Sequence, residues 1–65
     1  MRIQAGQMWQ HKRRGSVYRI ESLGTLQSEN PEMDNAEVVV YTDLSATVWV
    51  RPVEEFLDGR FTLLS

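Results

Sequence analysis

A small, strongly bent antiparallel β-barrel with one short helix is the fold class the sequence predicts, and three observations predict it. Short segments rich in β-branched and aromatic residues, or alternating between apolar and polar, recur five times, which is the pattern of half-buried strands. Turn formers separate them at close intervals, so the connections are tight. At 65 residues the chain supports one hydrophobic core at most, because such cores usually take on the order of 100 residues.

The first strand is residues 7–11, whose alternation gives way to Lys12-Arg13-Arg14-Gly15, a polar turn with glycine where positive φ is easiest; a hairpin is expected. The second runs over residues 16–23, with Val17, Tyr18, Ile20 and Leu23 among polar partners. Gly24 interrupts it where a bulge or sharp bend is expected, and residues 25–27 resume it. Residues 28–35 are rich in acids and turn formers, and Pro31 holds Asn30 away from helix, so they form the longest loop. Residues 37–42 hold three consecutive valines and Tyr41, which suits a central strand buried on both faces. After a turn at 43–46, residues 47–51 alternate, with Val48 and Val50 expected to face the core and Trp49 and Arg51 on the opposite face. Pro52 opens a helix of about two turns, with Glu54 and Glu55 near its positive end and Gly59 as its C-terminal cap, before a closing strand at 60–64. Of small β architectures this order matches an SH3-like barrel; an OB-fold needs longer strands, and a ferredoxin-like fold needs two long helices.

Composition excludes several classes. No cysteine means no disulfide scaffold and no Cys-based zinc site, and so small a core leans toward a homo-oligomer. The longest apolar run, residues 38–41, falls far short of the roughly 20 residues that span a bilayer, and the first twenty residues hold no run of signal-peptide length. A soluble cytoplasmic protein, with no membrane partner, is expected. A single histidine builds no metal cluster, and neither a nucleophile elbow nor a Gly-rich phosphate loop is present. Glu54, Glu55 and Asp58 are accounted for by the helix dipole and solubility. The expectation is therefore a non-catalytic protein with no metal and no cofactor.

Charge is segregated along the chain. Residues 1–20 carry Arg2, Lys12, Arg13, Arg14 and Arg19 and no acid, whereas residues 21–65 set Arg51 and Arg60 against all nine acids, so a net −2 conceals a +5 and a −7 portion. This marks either an anion-binding edge on an acidic body or complementary surfaces that meet within the fold or across a dimer. Trp9, His11, Lys12, Arg13, Arg14, Tyr18 and Arg19 lie within eleven positions. Cations neutralise phosphate, arginine donates in pairs, and an aromatic ring offers a stacking face for a base. Alternation sets Trp9 with His11 on one strand face and Trp49 with Arg51 on another; if these faces adjoin they form an aromatic and cationic groove. The alternative is that both tryptophans are core residues and that the basic turn is a solvated tip. A pI near 5.2 weighs against nonspecific duplex binding.

Several segments together, Gly6-x-x-Trp9-x-His11-Lys12-x-x-Gly15-x-x-Tyr18, Val38-Val39-Val40-Tyr41, Trp49-Val50-Arg51-Pro52-x-x-Glu55-Phe56 and Gly59-Arg60-Phe61, resemble family sixteen-fifty-three of the domains of unknown function, small bacterial and bacteriophage proteins. The similarity runs from Gly6 to Phe61 and looks like the phage or prophage variants. Where the family pattern has an H-Y-K-type turn, this chain reads His11-Lys12-Arg13-Arg14-Gly15, which is more basic. The resemblance implies a compact β domain acting alone and carries over no catalytic residues.

The expected function is a binding module for an anionic ligand, a nucleotide or short nucleic acid. Lys12, Arg13, Arg14 and Arg51 would hold phosphate, and Trp9, Tyr41 or Trp49 would stack on a base, with His11 and Tyr18 alongside. The alternative is a protein-interaction or host-modulating module, using an SH3-like groove or strand edge with Trp49, Pro52 and Phe56 as apolar anchors.

Overall fold

The computed structural model describes residues 3–65; Arg2, counted in the basic portion, lies outside them. Five strands and one helix follow in the order β1 (Met8–His11), β2 (Val17–Thr25), β3 (Glu37–Thr42), β4 (Val48–Pro52), α1 (Val53–Phe56) and β5 (Phe61–Leu63). All pairings are antiparallel, in a single sheet of order β4-β3-β2-β1-β5. The chain is mostly β, as expected, but the sheet is not closed into a barrel. Among the described residues β4 and β5 are the two edges and share no ladder.

The sheet is nevertheless strongly curled. A flat sheet would hold its outer strands about 19 Å apart, four spacings of about 4.8 Å. Here the Arg51 guanidinium of β4 lies 5.7 Å from the ring centroid of Phe61 in β5. A bulge in β2 contributes: Ile20 pairs with Tyr41 but Ser22 with Val40, leaving Glu21 as the extra residue. The bulge was expected at Gly24, which instead pairs regularly with Val38; a Cβ there would meet Val38 Cγ2 at 3.6 Å, an ordinary contact.

The concave face holds the core: Ile3, Trp9, Tyr18, Ile20, Val39, Tyr41, Val53, Phe56 and Phe61. The helix forms a single turn rather than two. At its end the Leu57 N–H bonds the Val53 carbonyl, after which Asp58 accepts the Arg60 N–H and Gly59, at φ 108°, turns the chain toward β5. Short as it is, α1 carries the connection from one edge of the sheet to the other and plugs the concave face. Phe56 is fully buried, stacked on Phe61 at 4.1 Å between centroids and meeting the edges of Trp9 and Tyr41. Burying such a ring is worth about 1.5–3 kcal/mol relative to exposing it. Phe56 is therefore no surface anchor for a partner. Among the described residues no helix is long and apolar enough to cross a membrane.

Two further expectations are corrected by register. Trp49 stands opposite Tyr41 and Arg51 opposite Val39, so the Trp49–Arg51 face of β4 shares the concave side with buried residues. Val48 and Val50 point the other way and are 61% and 59% exposed. Alternation gives two faces without saying which is inward, and near the seam between β4 and β5 the inward face is a groove rather than a filled core.

Candidate functional site

The groove, of about 720 Å³, lies where a β4–β5 ladder would have closed the barrel. The β1–β2 turn, with Lys12, Arg13 and Arg14, forms one wall; Trp49 and Arg51 of β4 form another; Gly59, Arg60 and Phe61 enter from the approach to β5. Tyr18 and Tyr41 lie at its floor. Five cations line it, and no acidic side chain does. Glu32, Glu37, Glu54 and Glu55 gather instead around a separate cleft of about 440 Å³, between the 26–36 loop and α1. The basic turn of the first portion thus opens onto a groove without acids in its lining, where Arg51 and Arg60 of the acidic portion join it.

His11 organises the basic wall. Its Nδ1 accepts the backbone N–H groups of Arg13 at 3.2 Å and Arg14 at 3.1 Å, and its ring packs edge-on against Phe61 at 5.0 Å. Gly15, at φ 77°, completes the turn by donating its N–H to the His11 carbonyl. An imidazole that accepts at Nδ1 is neutral and carries its proton on Nε2. Desolvation, followed by the charges of Arg14, Arg51, Arg60 and Arg13, lowers its pKa and favours that form. His11 consequently offers the groove a donor and no free basic nitrogen.

Arg51 is held from two sides, donating from Nε to Tyr41 Oη at 3.3 Å and pairing with Glu55 at 3.6 Å. Arg60 pairs with Asp58 at 3.1 Å. Lys12, Arg13 and Arg14 have no acidic partner among the described residues. They repel one another at the tip of the hairpin, an arrangement that a bound anion would relieve.

Trp49, at 45% exposure, is the aromatic at the rim. Its Nε1–H donates to Asp43 Oδ2 at 3.1 Å, while Asp43 Oδ1 accepts the Ser45 and Thr47 N–H groups of the β3–β4 turn. These bonds, the indole's first, hold the Asp43 carboxyl below its usual pKa. The indole is thereby fixed in orientation while still facing solvent, and among the described residues no other ring packs on it.

The groove brings together His11, Lys12, Arg13, Arg14, Tyr18, Tyr41, Trp49 and Arg51. Trp9 is the exception. It is buried at 7% exposure, edge-on to Phe56 at 5.3 Å, with its Nε1–H donated to Gln7 Oε1 at 3.1 Å, so it offers no stacking face. Tyr41 does not stack either, because Tyr18, Phe56 and Phe61 enclose its ring edge-on; it reaches the groove through its hydroxyl. Arg60 and Phe61 were missed. The pairing of His11 with Phe61 brings them beside the basic turn, and the signal was the Gly59-Arg60-Phe61 segment entering a closing strand. No protein-family model matches the chain, and the comparisons find neither a curated protein nor a solved structure similar to it.

Proposed function

We propose that this chain is a non-catalytic binding module whose groove holds a phosphate-bearing anion, a nucleotide or short nucleic acid. One observation carries the reading: in a chain of net charge −2, five cations line a single groove that no carboxylate enters. Lys12, Arg13 and Arg14, which lack acidic partners, supply the attraction; Arg51 and Arg60, positioned by their own ion pairs, supply directed guanidinium donors. His11 shapes the turn and adds a neutral donor. With its Nδ1 occupied it is not placed to take a proton from a nucleophile, which favours holding the ligand over cleaving it. The strand order, the helix between β4 and β5 and the approach of the edges support an SH3-like arrangement opened at the seam.

The test is equilibrium titration with inorganic tripolyphosphate and with a short single strand at two salt concentrations. Binding at low salt that weakens as salt rises, and that is lost in the Arg13→Glu/Arg14→Glu variant, is the expected result. Affinity unchanged by that double reversal would overturn it. A protein-interaction reading keeps one observation of its own, the exposed Val48 and Val50 on the free β4 edge, where an extended peptide could add a strand. It predicts binding that ignores the charge reversal.

A further inference from the structure

Resting on the phosphate reading of the groove, we propose that its ligand is a nucleoside di- or triphosphate, held without selection among the four bases and preferred free of magnesium. Three features of the groove bear on this.

The first is the number of stacking faces. Proteins that track single strands stack successive bases on a series of aromatic side chains. This groove offers one. Trp49 is the half-exposed ring at its rim, whereas Tyr18, Tyr41 and Phe61 are each under 10% exposed and locked edge-to-face against one another, and the smaller ring of His11 is packed on Phe61 and bonded into the basic turn. One platform accommodates one base.

The second is the distribution of charge. Lys12, Arg13 and Arg14 are consecutive on one turn, line the same groove and have no acidic partner among the described residues, so three unneutralised positive charges gather on one wall. Phosphates along a strand are separated by a sugar, while those of a polyphosphate share a bridging oxygen. Crowded cations match crowded anions. The same crowding does the work that magnesium does elsewhere, and the groove has no carboxylate to help hold that ion. A magnesium-bound polyphosphate, with part of its charge already neutralised, is therefore the weaker ligand.

The third is that the polar side chains of the lining present donors. The guanidinium groups and the ammonium only donate, the accepting nitrogen of His11 is taken by the turn backbone, and the Tyr41 oxygen already accepts from Arg51. Base edges are told apart by matching their mixed donors and acceptors. With no side-chain amide or carboxylate in the lining, the nearby acceptors are the Tyr18 hydroxyl, on a strand two places from that of Trp49, and the Asp43 carboxylate, whose oxygens already accept from Trp49, Ser45 and Thr47, so adenine and cytosine amino groups meet no free acceptor beside the stacking ring. Stacking remains, and every base has a face to stack.

The experiment is a set of equilibrium titrations of the full chain at low salt, using adenosine mono-, di- and triphosphate, the other three nucleoside triphosphates, inorganic tripolyphosphate and an eight-nucleotide single strand. Affinity is expected to rise about tenfold or more from mono- to triphosphate, since each added phosphate meets further charge-assisted donors. The four triphosphates should agree within about tenfold, and magnesium should weaken all of them. Trp49→Ala should weaken nucleoside triphosphates roughly fivefold to a hundredfold and leave tripolyphosphate unchanged, while Trp49→Phe, which keeps a ring, should recover most of the loss. Tripolyphosphate binding as tightly as adenosine triphosphate in both the parent and Trp49→Ala would overturn the nucleoside assignment and leave the anion groove standing. A single strand that binds more tightly than any triphosphate would replace the nucleotide with nucleic acid. Failure of every anion to bind, tripolyphosphate included, would remove the phosphate reading itself.

Discussion

The two tryptophans occupy equivalent places in the sequence pattern and opposite places in the molecule. Each lies in a strand of alternating residues, each faces the concave side of the sheet, and each donates its indole N–H to a nearby side-chain oxygen: Trp9 to Gln7 and Trp49 to Asp43. What differs is the cover. Phe56 of α1 closes over Trp9, at 5.3 Å between centroids, while no ring of the helix reaches Trp49. The concave face is thus divided into a filled half beneath α1 and an open half between β4 and β5. The helix decides where core ends and groove begins.

The largest expected effect breaks the filled half. Phe56→Ala removes the ring stacked on Phe61 and should cost about 3–5 kcal/mol, read as a lowered midpoint in chemical denaturation. For a domain this small that is a large share of total stability, and partial unfolding at ambient temperature is expected.

Comparing the tryptophans directly sharpens the division. Trp9→Ala should destabilise by about 3–5 kcal/mol, as for other buried aromatic truncations. Trp49→Ala should cost less than about 1 kcal/mol in stability, in line with surface substitutions that lose one exposed hydrogen bond. Similar losses from both would mean that Trp49 is as buried as Trp9.

Charge reversal acts on the open half alone. Because Lys12, Arg13 and Arg14 are exposed and have no acidic partner among the described residues, Arg13→Glu/Arg14→Glu should leave stability within about 0.5 kcal/mol and abolish anion binding. A stability loss well beyond that would assign those arginines to the fold.

The smallest effect is a pH dependence from His11. Its pKa in the folded protein lies below its ordinary value of about 6.5, so the unfolded chain takes up the proton first as pH falls. The contribution of neutral His11 is therefore complete above about pH 6.5 and is lost as pH drops through the lowered folded value. Protonation also removes the Nδ1 acceptor from the Arg13 and Arg14 N–H groups. His11→Asn, which keeps an acceptor and does not titrate, should flatten this part of the stability–pH curve, measured by thermal unfolding between pH 5 and 8.

Much of this division was legible in the sequence, and the rest was hidden for identifiable reasons. Local pattern revealed the basic hairpin, the valine-rich β3 and the turn before β4, because alternation, β-branching and turn residues act over a few positions. The bulge at Glu21 carries no compositional mark, whereas Gly24 looks like an interruption and is none. Alternation put Trp49 and Arg51 together but assigned the inward face to Val48 and Val50, since what lies opposite β4 depends on Tyr41 and Val39 across the ladder. The groove's cations on the β1–β2 turn were visible as a charge split, and Arg51 of β4 through its alternation with Trp49. Arg60 joined them only when β5 paired with β1 beside the turn. The fate of each tryptophan depended on the path of α1 across the sheet, a long-range fact that no local window contains.

The most direct measurement uses Trp9→Phe, which leaves Trp49 as the sole tryptophan emitter. Titrated at low salt with adenosine triphosphate, this protein should show saturable quenching of Trp49 emission that disappears as salt is raised, because base and indole meet only while the cations hold the phosphates. Emission unmoved across the titration, with no binding seen in parallel by calorimetry, would contradict the account.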